Sequence, residues 1–360
     1  MVWVVSVIFI LYFIFLGLIY WGWKKVIIPN VATVHSRISV VIAVRNEAAN
    51  IGALLKDLSL QFYQNFEVIV VDDHSTDGTK EIVAANPSSF LRYELNNGQG
   101  KKDAITTGIA KASGEIIVTT DGDCRVPPRW LETIAGNFSH GVNLLAGPVR
   151  MSSGDSLKDK IQSIEFASLI GSGASLIVWG LPTMCNGANL AYRRRVFYDV
   201  NGFAGNDHIA SGDDEFLMRK IHALAPGSIR FLKNEDATVS TLPQPTVGEL
   251  MNQRIRWASK WRSNAYLPAK AVAVLVFVTQ LVSIAAYVLV PFYPLILALL
   301  FLRFLIEGLI LRSFTSFLQV KMSILQLAVV QLVYPFYVVC IAILSFLSAY
   351  SWKGRMHIRK

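Results

Sequence analysis

Apolar residues are concentrated at the two ends of the chain. Residues 2 to 23 form one apolar stretch, and a second apolar region runs from about 271 to 350, with proline-containing and polar breaks. A helix needs about 20 apolar residues to cross the hydrocarbon core of a bilayer. The pattern therefore predicts one membrane-spanning helix within 1–25 and about three within 271–350.

The segment 37–250 has the alternating pattern of a globular α/β domain. Largely apolar runs, which predict strands buried on both faces, occupy 39–44, 67–71 and 115–120. Helical patterns lie between them, at about 51–58 and 102–112. Strands that alternate with helices predict a mostly parallel sheet flanked by helices and joined by right-handed crossovers.

Charged side chains stand at the carboxyl end of each predicted strand, which is where parallel α/β sheets bind their ligands. Arg45 follows the first strand, Asp72-Asp73 the second, and Asp121-Gly122-Asp123 the third. Two carboxylates one residue apart can hold Mg²⁺ or Mn²⁺, which takes up the charge of a departing diphosphate. The alternative for each aspartate is an ordinary turn or cap position.

Two further charged groups have both a structural and a functional interpretation. Lys101 follows a glycine-rich loop, where it is either a solvated lysine or a cation beside a diphosphate. Asp213 and Asp214 begin a predicted helix, where acidic side chains complement the helix dipole. Alternatively one of them is a general base, because crowded carboxylates raise one another's affinity for protons.

The segment 251–270 precedes the C-terminal apolar region and is predicted to be an interfacial amphipathic helix. Trp257 and Trp261 are one helical turn apart, with basic residues around them. Lys24-Lys25 after the first span predicts that the central domain faces the cytoplasm. The basic tail 351–360 favours the same side, which conflicts with three intervening spans.

Overall composition adds two exclusions. The chain has 53% hydrophobic residues and a net charge of +9. In a membrane protein this charge is better explained by cytoplasmic flanks and contact with anionic lipid than by nucleic acid, so we expect no nucleic-acid partner. The three cysteines are scattered, and they indicate neither a disulfide framework nor a zinc site.

Taken in order, these motifs resemble the family 2 glycosyltransferases over about residues 37 to 262. The ordered set comprises Arg45-Asn46-Glu47, Asp72-Asp73, Asp121-Gly122-Asp123, Asp213-Asp214 and Gln253-x-x-Arg256-Trp257. The last segment matches the Q-x-x-R-W signature of membrane-bound members and is the most specific. The resemblance implies a nucleotide-sugar-binding domain of the GT-A type, combined here with transmembrane α-helices.

The resemblance also implies roles for particular residues. The implied donor-binding set is Ala43, Arg45, Glu47, Asp72, Asp73, Lys101, Asp121, Gln253, Arg256 and Trp257. Most members have proline where Ala43 stands, a departure that changes backbone stiffness more than chemistry. Asp72, with Asp73 beside it, matches a uracil-contacting position, and Lys101 matches a lysine near the diphosphate.

The remaining matches concern the metal, the base and the diphosphate. Asp121 and Asp123 match the pair around the metal, expected to be Mg²⁺ or Mn²⁺, and the sugar. Asp214 matches the catalytic base, with Asp213 as the neighbouring candidate. Residues that match those closing over the diphosphate and acceptor are Gln253, Arg256 and Trp257.

The function implied by this resemblance is an inverting glycosyltransferase. We expect a multi-pass integral membrane protein, of the cell membrane if bacterial, that moves sugar from a UDP- or GDP-linked donor to a lipid, lipid-linked or glycan acceptor. A processive polysaccharide synthase is the alternative within the family. From another class, a non-catalytic scaffold or transport protein with a degenerate domain is the alternative. Arg303 and Glu307 lie one helical turn apart in a predicted span, where buried charges often mark a transport pathway. We expect instead that they form a neutralised structural pair.

Overall fold

The computed structural model describes residues 2–28, 36–152, 154, 156–206, 212–261, 266–347, 350–352 and 355–357, with backbone alone for 261 and from 350 onward. The chain divides into two compact units. One comprises Met1–Lys25, Ser153–Thr183 and Pro243–Lys360, and it holds the long apolar helices. The other comprises Val26–Ser152 and Met184–Leu242, and it holds the sheet.

The strands are β1 (Ile38–Val44), β2 (Phe66–Asp72), β3 (Leu91–Leu95), β4 (Ile116–Asp121), β5 (Leu144–Ala146), β6 (Val149–Met151), β7 (Leu190–Arg193), β8 (Ile229–Phe231), β9 (Val239–Thr241), β10 (Tyr350–Trp352) and β11 (Arg355–His357). The helices are α1 (Val2–Lys25), α2 (Ile51–Ser59), α3 (Thr79–Ala84), α4 (Lys101–Lys111), α5 (Trp130–Ala135), α6 (Leu157–Val178), α7 (Arg194–Asp199), α8 (Asp213–Leu224), α9 (Val247–Ala258), α10 (Leu267–Leu289), α11 (Pro294–Phe317) and α12 (Ile324–Leu347).

The main sheet has seven strands in the order β3-β2-β1-β4-β7-β5-β8. Strands β3, β2, β1 and β4 run parallel, and β5 pairs with β8 in parallel. Only β7 is antiparallel, to β4 and β5 on its two sides. The prediction of a mostly parallel sheet flanked by helices is confirmed.

A buried carboxylate links neighbouring elements at the amino-terminal ends of the parallel strands. Glu67 is 3% exposed, and its Oε1 accepts hydrogen bonds from Ser39 Oγ at 2.7 Å and Ser113 Oγ at 2.6 Å. Burial alone would raise the pKa of Glu67, but the hydrogen bonds from Ser113 and Ser39 outweigh it and lower that pKa. The carboxylate therefore joins the starts of β1 and β2 to the end of α4.

In the part of the chain that the structure describes, five helices are long and apolar enough to cross a membrane: α1, α6, α10, α11 and α12. Four of them correspond to the predicted spans. The fifth, α6, lies in a segment that the sequence analysis assigned to the central domain, yet Ser153–Thr183 groups with the other long helices. Within the predicted interfacial segment 251–270, α9 ends at Ala258 and α10 begins at Leu267. Residues 262–265 of this segment lie outside the described residues.

Two charged side chains inside the helical unit neutralise each other. Arg303 is 2% exposed, and its Nε donates to Glu307 Oε1 at 2.8 Å. Tyr12 OH donates to the same oxygen at 2.8 Å, and Arg303 Nη2 donates to Gln280 Oε1 at 3.0 Å. Because α1, α10 and α11 each contribute a partner, the network joins three helices, and the predicted pairing of Arg303 with Glu307 is confirmed.

Candidate active site

The register of the sheet brings the predicted site residues to one edge. Ala43 lies opposite Asp121 in the β1–β4 pair, and Val44 lies opposite Asp72 in the β1–β2 pair. Both aspartates are the last residues of their strands. The carboxyl ends of β2 and β4, which flank β1, thus present two carboxylates along the same border of the sheet.

Lys101 joins two of the predicted acidic positions. Its Nζ lies 2.6 Å from Asp121 Oδ1 and 3.6 Å from Asp213 Oδ2. Burial alone would lower the pKa of Lys101, but Asp121 and Asp213 outweigh it and raise that pKa. The start of α4, the end of β4 and the start of α8 therefore meet around a protonated lysine.

Asp214 is held by two backbone amides. Gly187 N donates to Asp214 Oδ2 at 3.0 Å, and Glu215 N donates to Asp214 Oδ1 at 2.8 Å. Helix α8 begins at Asp213 after Gly212, whose φ of 82° lies in the left-handed region. Asp213 and Asp214 thus begin a helix, as predicted, and the carboxylate of Asp214 is fixed in orientation.

The turn Gly187–Asn189 is a part of the site that the sequence analysis missed. Thr119 Oγ1 donates to Gly187 O at 2.8 Å, which ties the turn to β4. A Cβ at Gly187 would lie 3.3 Å from Asp213 Oδ2 and 3.4 Å from Lys101 Nζ, so the bare backbone packs directly against the charged cluster. The signal was present as Asn186-Gly187-Ala188-Asn189, a polar, glycine-containing turn before the apolar residues of β7.

Asn189 anchors this turn from beneath and is 1% exposed. Its Oδ1 accepts from Trp130 Nε1 at 3.0 Å. Its Nδ2 donates to Pro148 O at 2.7 Å and to Ala237 O at 2.8 Å. One buried amide therefore connects α5 and two loops to the turn that contacts Asp214.

The Asp72-Asp73 turn is built from hydrogen bonds within the protein. Asp72 Oδ1 accepts from Ser75 N at 2.8 Å, and Asp72 Oδ2 accepts from Tyr93 OH at 2.8 Å. Asp73 Oδ1 accepts from Asn96 Nδ2 and from Gly100 N, both at 2.9 Å. Both aspartates have the turn-forming role that the sequence analysis set beside the functional one, and Asp73 also orients the loop that leads to Lys101.

The residues that follow β1 pack against this turn. Arg45 Nη1 donates to the carbonyl oxygen of Asp73 at 2.6 Å. Glu47 is 7% exposed, its amide donates to Thr79 Oγ1 at 2.9 Å, and its Oε2 accepts from Asn50 Nδ2 at 3.0 Å. A Cβ at Gly122 would lie 3.0 Å from Glu47 Cγ, which explains a glycine between the two aspartates.

Asp121 and Asp123 supply two carboxylates but no complete metal cage. Cys124 Sγ contacts Asp123 Oδ1 at 3.7 Å, and burial raises the pKa of this thiol above its usual value. Among the described residues there is no group of three or more His, Cys, Asp or Glu side chains that could hold a metal ion. Mg²⁺ commonly binds one or two carboxylates together with substrate phosphates, so the residues fit a cation that shares its ligands with a diphosphate.

Gln253, Arg256 and Trp257 lie on α9, in the unit of long helices rather than in the unit of the sheet. Arg254, between them, donates through Nη1 to Gln253 Oε1, and its guanidinium lies 4.3 Å from the centre of the Trp257 ring. Arg254 also forms a buried ion pair with Glu165 of α6. No sequence pattern indicated this ion pair, yet its Arg254 orients two of the three predicted residues, Gln253 and Trp257.

Residues 39–200 match the family model described as glycosyl transferase family 2. The segment 39–200 is a family 2 glycosyltransferase segment. The chain is 29% identical over 226 residues to poly-beta-1,6-N-acetyl-D-glucosamine synthase of Staphylococcus aureus (strain COL), covering 61% of this chain and 53% of the synthase. The chain therefore spans about half the length of these synthases.

Two further comparisons concern one relative by sequence and one solved structure of similar fold. Glycosyltransferase AglE of Haloferax volcanii is 29% identical over 268 residues, covering 71% of this chain and 81% of AglE. The mannosyltransferase PcManGT of Pyrobaculum calidifontis, solved in complex with GDP-Man and Mn²⁺, has the same fold with a TM-score of 0.58 at 21% identity. That comparison covers 91% of this chain and 99% of PcManGT.

Proposed function

We propose that this glycosyltransferase moves one sugar from a nucleotide-linked donor to a lipid, lipid-linked or glycan acceptor at a membrane. The observation that carries the proposal is the cluster of Lys101, Asp121, Asp213 and Asp214 at the carboxyl edge of the sheet. A diphosphate needs positive charge and hydrogen-bond donors, and an acceptor hydroxyl needs a base. This cluster offers both within one border of the domain.

Asp214 is the proposed base, and Asp213 is its neighbour in the same charged cluster. The amides of Gly187 and Glu215 fix the carboxylate of Asp214, so little reorganisation is needed when it takes the proton of the acceptor hydroxyl. The oxygen that loses this proton attacks the anomeric carbon in line with the leaving diphosphate and inverts that centre. Asp213 faces Lys101 instead, which makes it the weaker candidate for the base.

Lys101 is the first residue of α4, and we propose that its ammonium binds the leaving diphosphate. A divalent cation held by Asp121 and Asp123 would supply further positive charge against the leaving group. We propose Mg²⁺ or Mn²⁺, and the complex of PcManGT with GDP-Man and Mn²⁺ is consistent with that choice. Asp72, Asp73, Arg45, Glu47 and the backbone at Ala43 form the proposed nucleoside end of the donor site.

The donor is proposed to be a UDP- or GDP-linked sugar. The diphosphate-closing roles of Gln253, Arg256 and Trp257 stay predictions from the resemblance. The five long apolar helices support an integral membrane protein. Lys24-Lys25 at the end of α1 supports a catalytic domain that faces the cytoplasm.

A processive synthase is the second candidate, and the named synthases among the relatives favour it. The length of the product separates the two candidates. A single-sugar transferase gives one added residue, whereas a processive enzyme gives a ladder or a polymer from the same donor. Gel electrophoresis of radiolabelled product from purified enzyme and membrane lipid extract would distinguish them.

The proposed base is tested with Asp214→Asn. Its transfer rate is expected to fall by about 10²–10⁴-fold, because a positioned base contributes about that much. Binding of UDP- or GDP-sugars, measured by calorimetry, should remain within about threefold of wild type, since Asp214 is not proposed to bind the donor. Asp199→Asn, which changes a half-exposed carboxylate paired with Arg195, is the matched control. Near-normal transfer by Asp214→Asn would exclude Asp214 as the base.

A further inference from the structure

We infer that Lys101 makes binding of the divalent cation dependent on a nucleoside diphosphate, by competing with the cation for Asp121. This inference rests on the proposed function, because it assigns a regulatory role to a residue of the same site. It predicts that the metal and the nucleotide bind as a coupled pair. It also assigns part of that coupling to a single side chain.

The geometry of Asp121 carries the first step. One of its two carboxylate oxygens, Oδ1, is already engaged by Lys101 Nζ at 2.6 Å. The Asp121 side chain is 37% exposed, so it remains accessible to ligands, whereas the Lys101 side chain is 22% exposed. A cation that approaches Asp121 therefore meets a fixed positive charge on the same carboxylate. Two cations that share one carboxylate repel each other, and the repulsion is stronger at a partly shielded site than in water.

The surroundings of Lys101 carry the second step. The backbone of Gly187 confines the ammonium, since a Cβ there would come within 3.4 Å of Nζ. Asp213 Oδ2, at 3.6 Å, is the second carboxylate within reach of Nζ. Lys101 consequently stays inside the acidic cluster. Its ammonium still repels a cation at Asp121 when the ammonium shifts from Asp121 towards Asp213.

A nucleoside diphosphate reverses this balance in two ways. Its negative oxygens give Lys101 a new partner, which frees Asp121 Oδ1. They also add oxygen ligands to the two carboxylates of Asp121 and Asp123, which are too few to enclose a Mg²⁺ or Mn²⁺ ion alone. Since linkage is reciprocal, the cation must strengthen nucleotide binding by the same factor by which the nucleotide strengthens cation binding.

The test measures Mn²⁺ affinity of the detergent-solubilised full chain, by electron paramagnetic resonance of free Mn²⁺, with and without UDP or GDP. For wild type we expect weak binding of Mn²⁺ alone and about 5–150-fold tighter binding with the effective nucleotide. Lys101→Met keeps the length of the side chain and removes its charge. Without nucleotide it should bind Mn²⁺ at least about tenfold more tightly than wild type, with a correspondingly smaller nucleotide effect.

Three further variants sharpen the result. Lys111→Met changes an exposed lysine at the end of α4 and should match wild type. Lys101→Arg keeps the charge and should keep the nucleotide dependence, whether or not Lys101→Met is well folded. Adding Asp121→Asn to Lys101→Met should remove the tight Mn²⁺ binding. If it does not, the ion lies elsewhere and the inference is wrong.

The remaining outcomes separate this inference from the proposed function. If wild type binds Mn²⁺ only with nucleotide and Lys101→Met does the same, Lys101 is not the competitor, although the nucleotide-dependent metal site stands. If wild type binds Mn²⁺ equally well with and without nucleotide, the coupling itself is absent. If no variant binds Mn²⁺ under any condition, the proposed metal role of Asp121 and Asp123 fails together with the inference.

Discussion

Replacing Asn189 with alanine tests whether the buried amide under the Gly187 turn organises the active site. The substitution removes the acceptor of the Trp130 indole N–H and the donor to two carbonyl oxygens. Pro148 O still accepts a hydrogen bond from Val239 N at 3.0 Å, so losing the Asn189 amide costs Pro148 O less than it costs the other two groups. The main cost therefore falls on the Trp130 indole and on Ala237 O, which lose a partner inside the protein.

The magnitude follows from these two groups. Each buried polar group that loses its partner costs about 1–3 kcal/mol, and the space left by the amide adds about 1 kcal/mol. We therefore expect the sheet-containing unit to lose about 3–7 kcal/mol of unfolding free energy. A domain of this size loses about 2–4 °C in melting temperature for each kcal/mol, so the expected shift is roughly 6–28 °C.

The assay is thermal unfolding of the detergent-solubilised protein, followed by near-ultraviolet circular dichroism and by transfer activity at a temperature where the variant stays folded. Asn137→Ala is the matched control, because Asn137 is only half-buried and its Nδ2 donates to Thr133 O at 2.8 Å. It should shift melting by no more than a few degrees. A melting temperature for Asn189→Ala within about 2 °C of wild type would refute the argument that this amide supports the turn.

Substitutions at two buried ionic sites test parts of the fold that sequence patterns do not reveal. Because hydrogen bonds from Ser113 and Ser39 lower the pKa of Glu67, its stabilising effect is present above the unfolded pKa of about 4.3 and is lost as pH falls through the folded value. Glu67→Gln should therefore melt below wild type at pH 7, with the gap narrowing below about pH 4.3; a gap that does not change with pH would contradict this. Glu165→Ala should lower the free energy of unfolding by about 3–5 kcal/mol, because it leaves the charge of Arg254 buried without its partner carboxylate. Arg254→Lys should lower the free energy of unfolding by less than Glu165→Ala does. Equal melting temperatures for wild type and Glu165→Ala would show that the ion pair does not support α9.

The sequence was sufficient to predict the central convergence of this site. Asp121 and Lys101 lie next to a predicted strand end and a predicted helix start, and parallel topology brings such positions to one edge. Asp213 also begins a predicted helix, but its contact with Lys101 is a tertiary contact that this rule does not specify. Asp121 and Lys101 could be predicted because the local pattern places each of them at the end of a strand or at the start of a helix, and the parallel topology brings those positions together.

Other contacts could not be predicted because they depend on long-range pairing. The amide of Gly187 reaches Asp214 only because β7 returns antiparallel beside β4, which no local pattern specifies. Tyr93 completes the hydrogen bonds of Asp72 across 21 residues, and Glu165 meets Arg254 across 89. In each case the sequence shows an ordinary side chain, and its partner is decided by the tertiary structure.

Helix α6 shows how sheet pairing limits what hydropathy can establish. Its length and composition permit a membrane crossing, as for the four other long helices. The chain enters α6 after β5 and β6 and leaves it before β7, and Leu144 of β5 pairs with Tyr192 of β7. A single crossing by α6 would place these two strands on opposite sides of the bilayer, where they could not pair. Helix α6 therefore either stays on one side or enters and leaves by the same face, so at most four of the five apolar helices cross once.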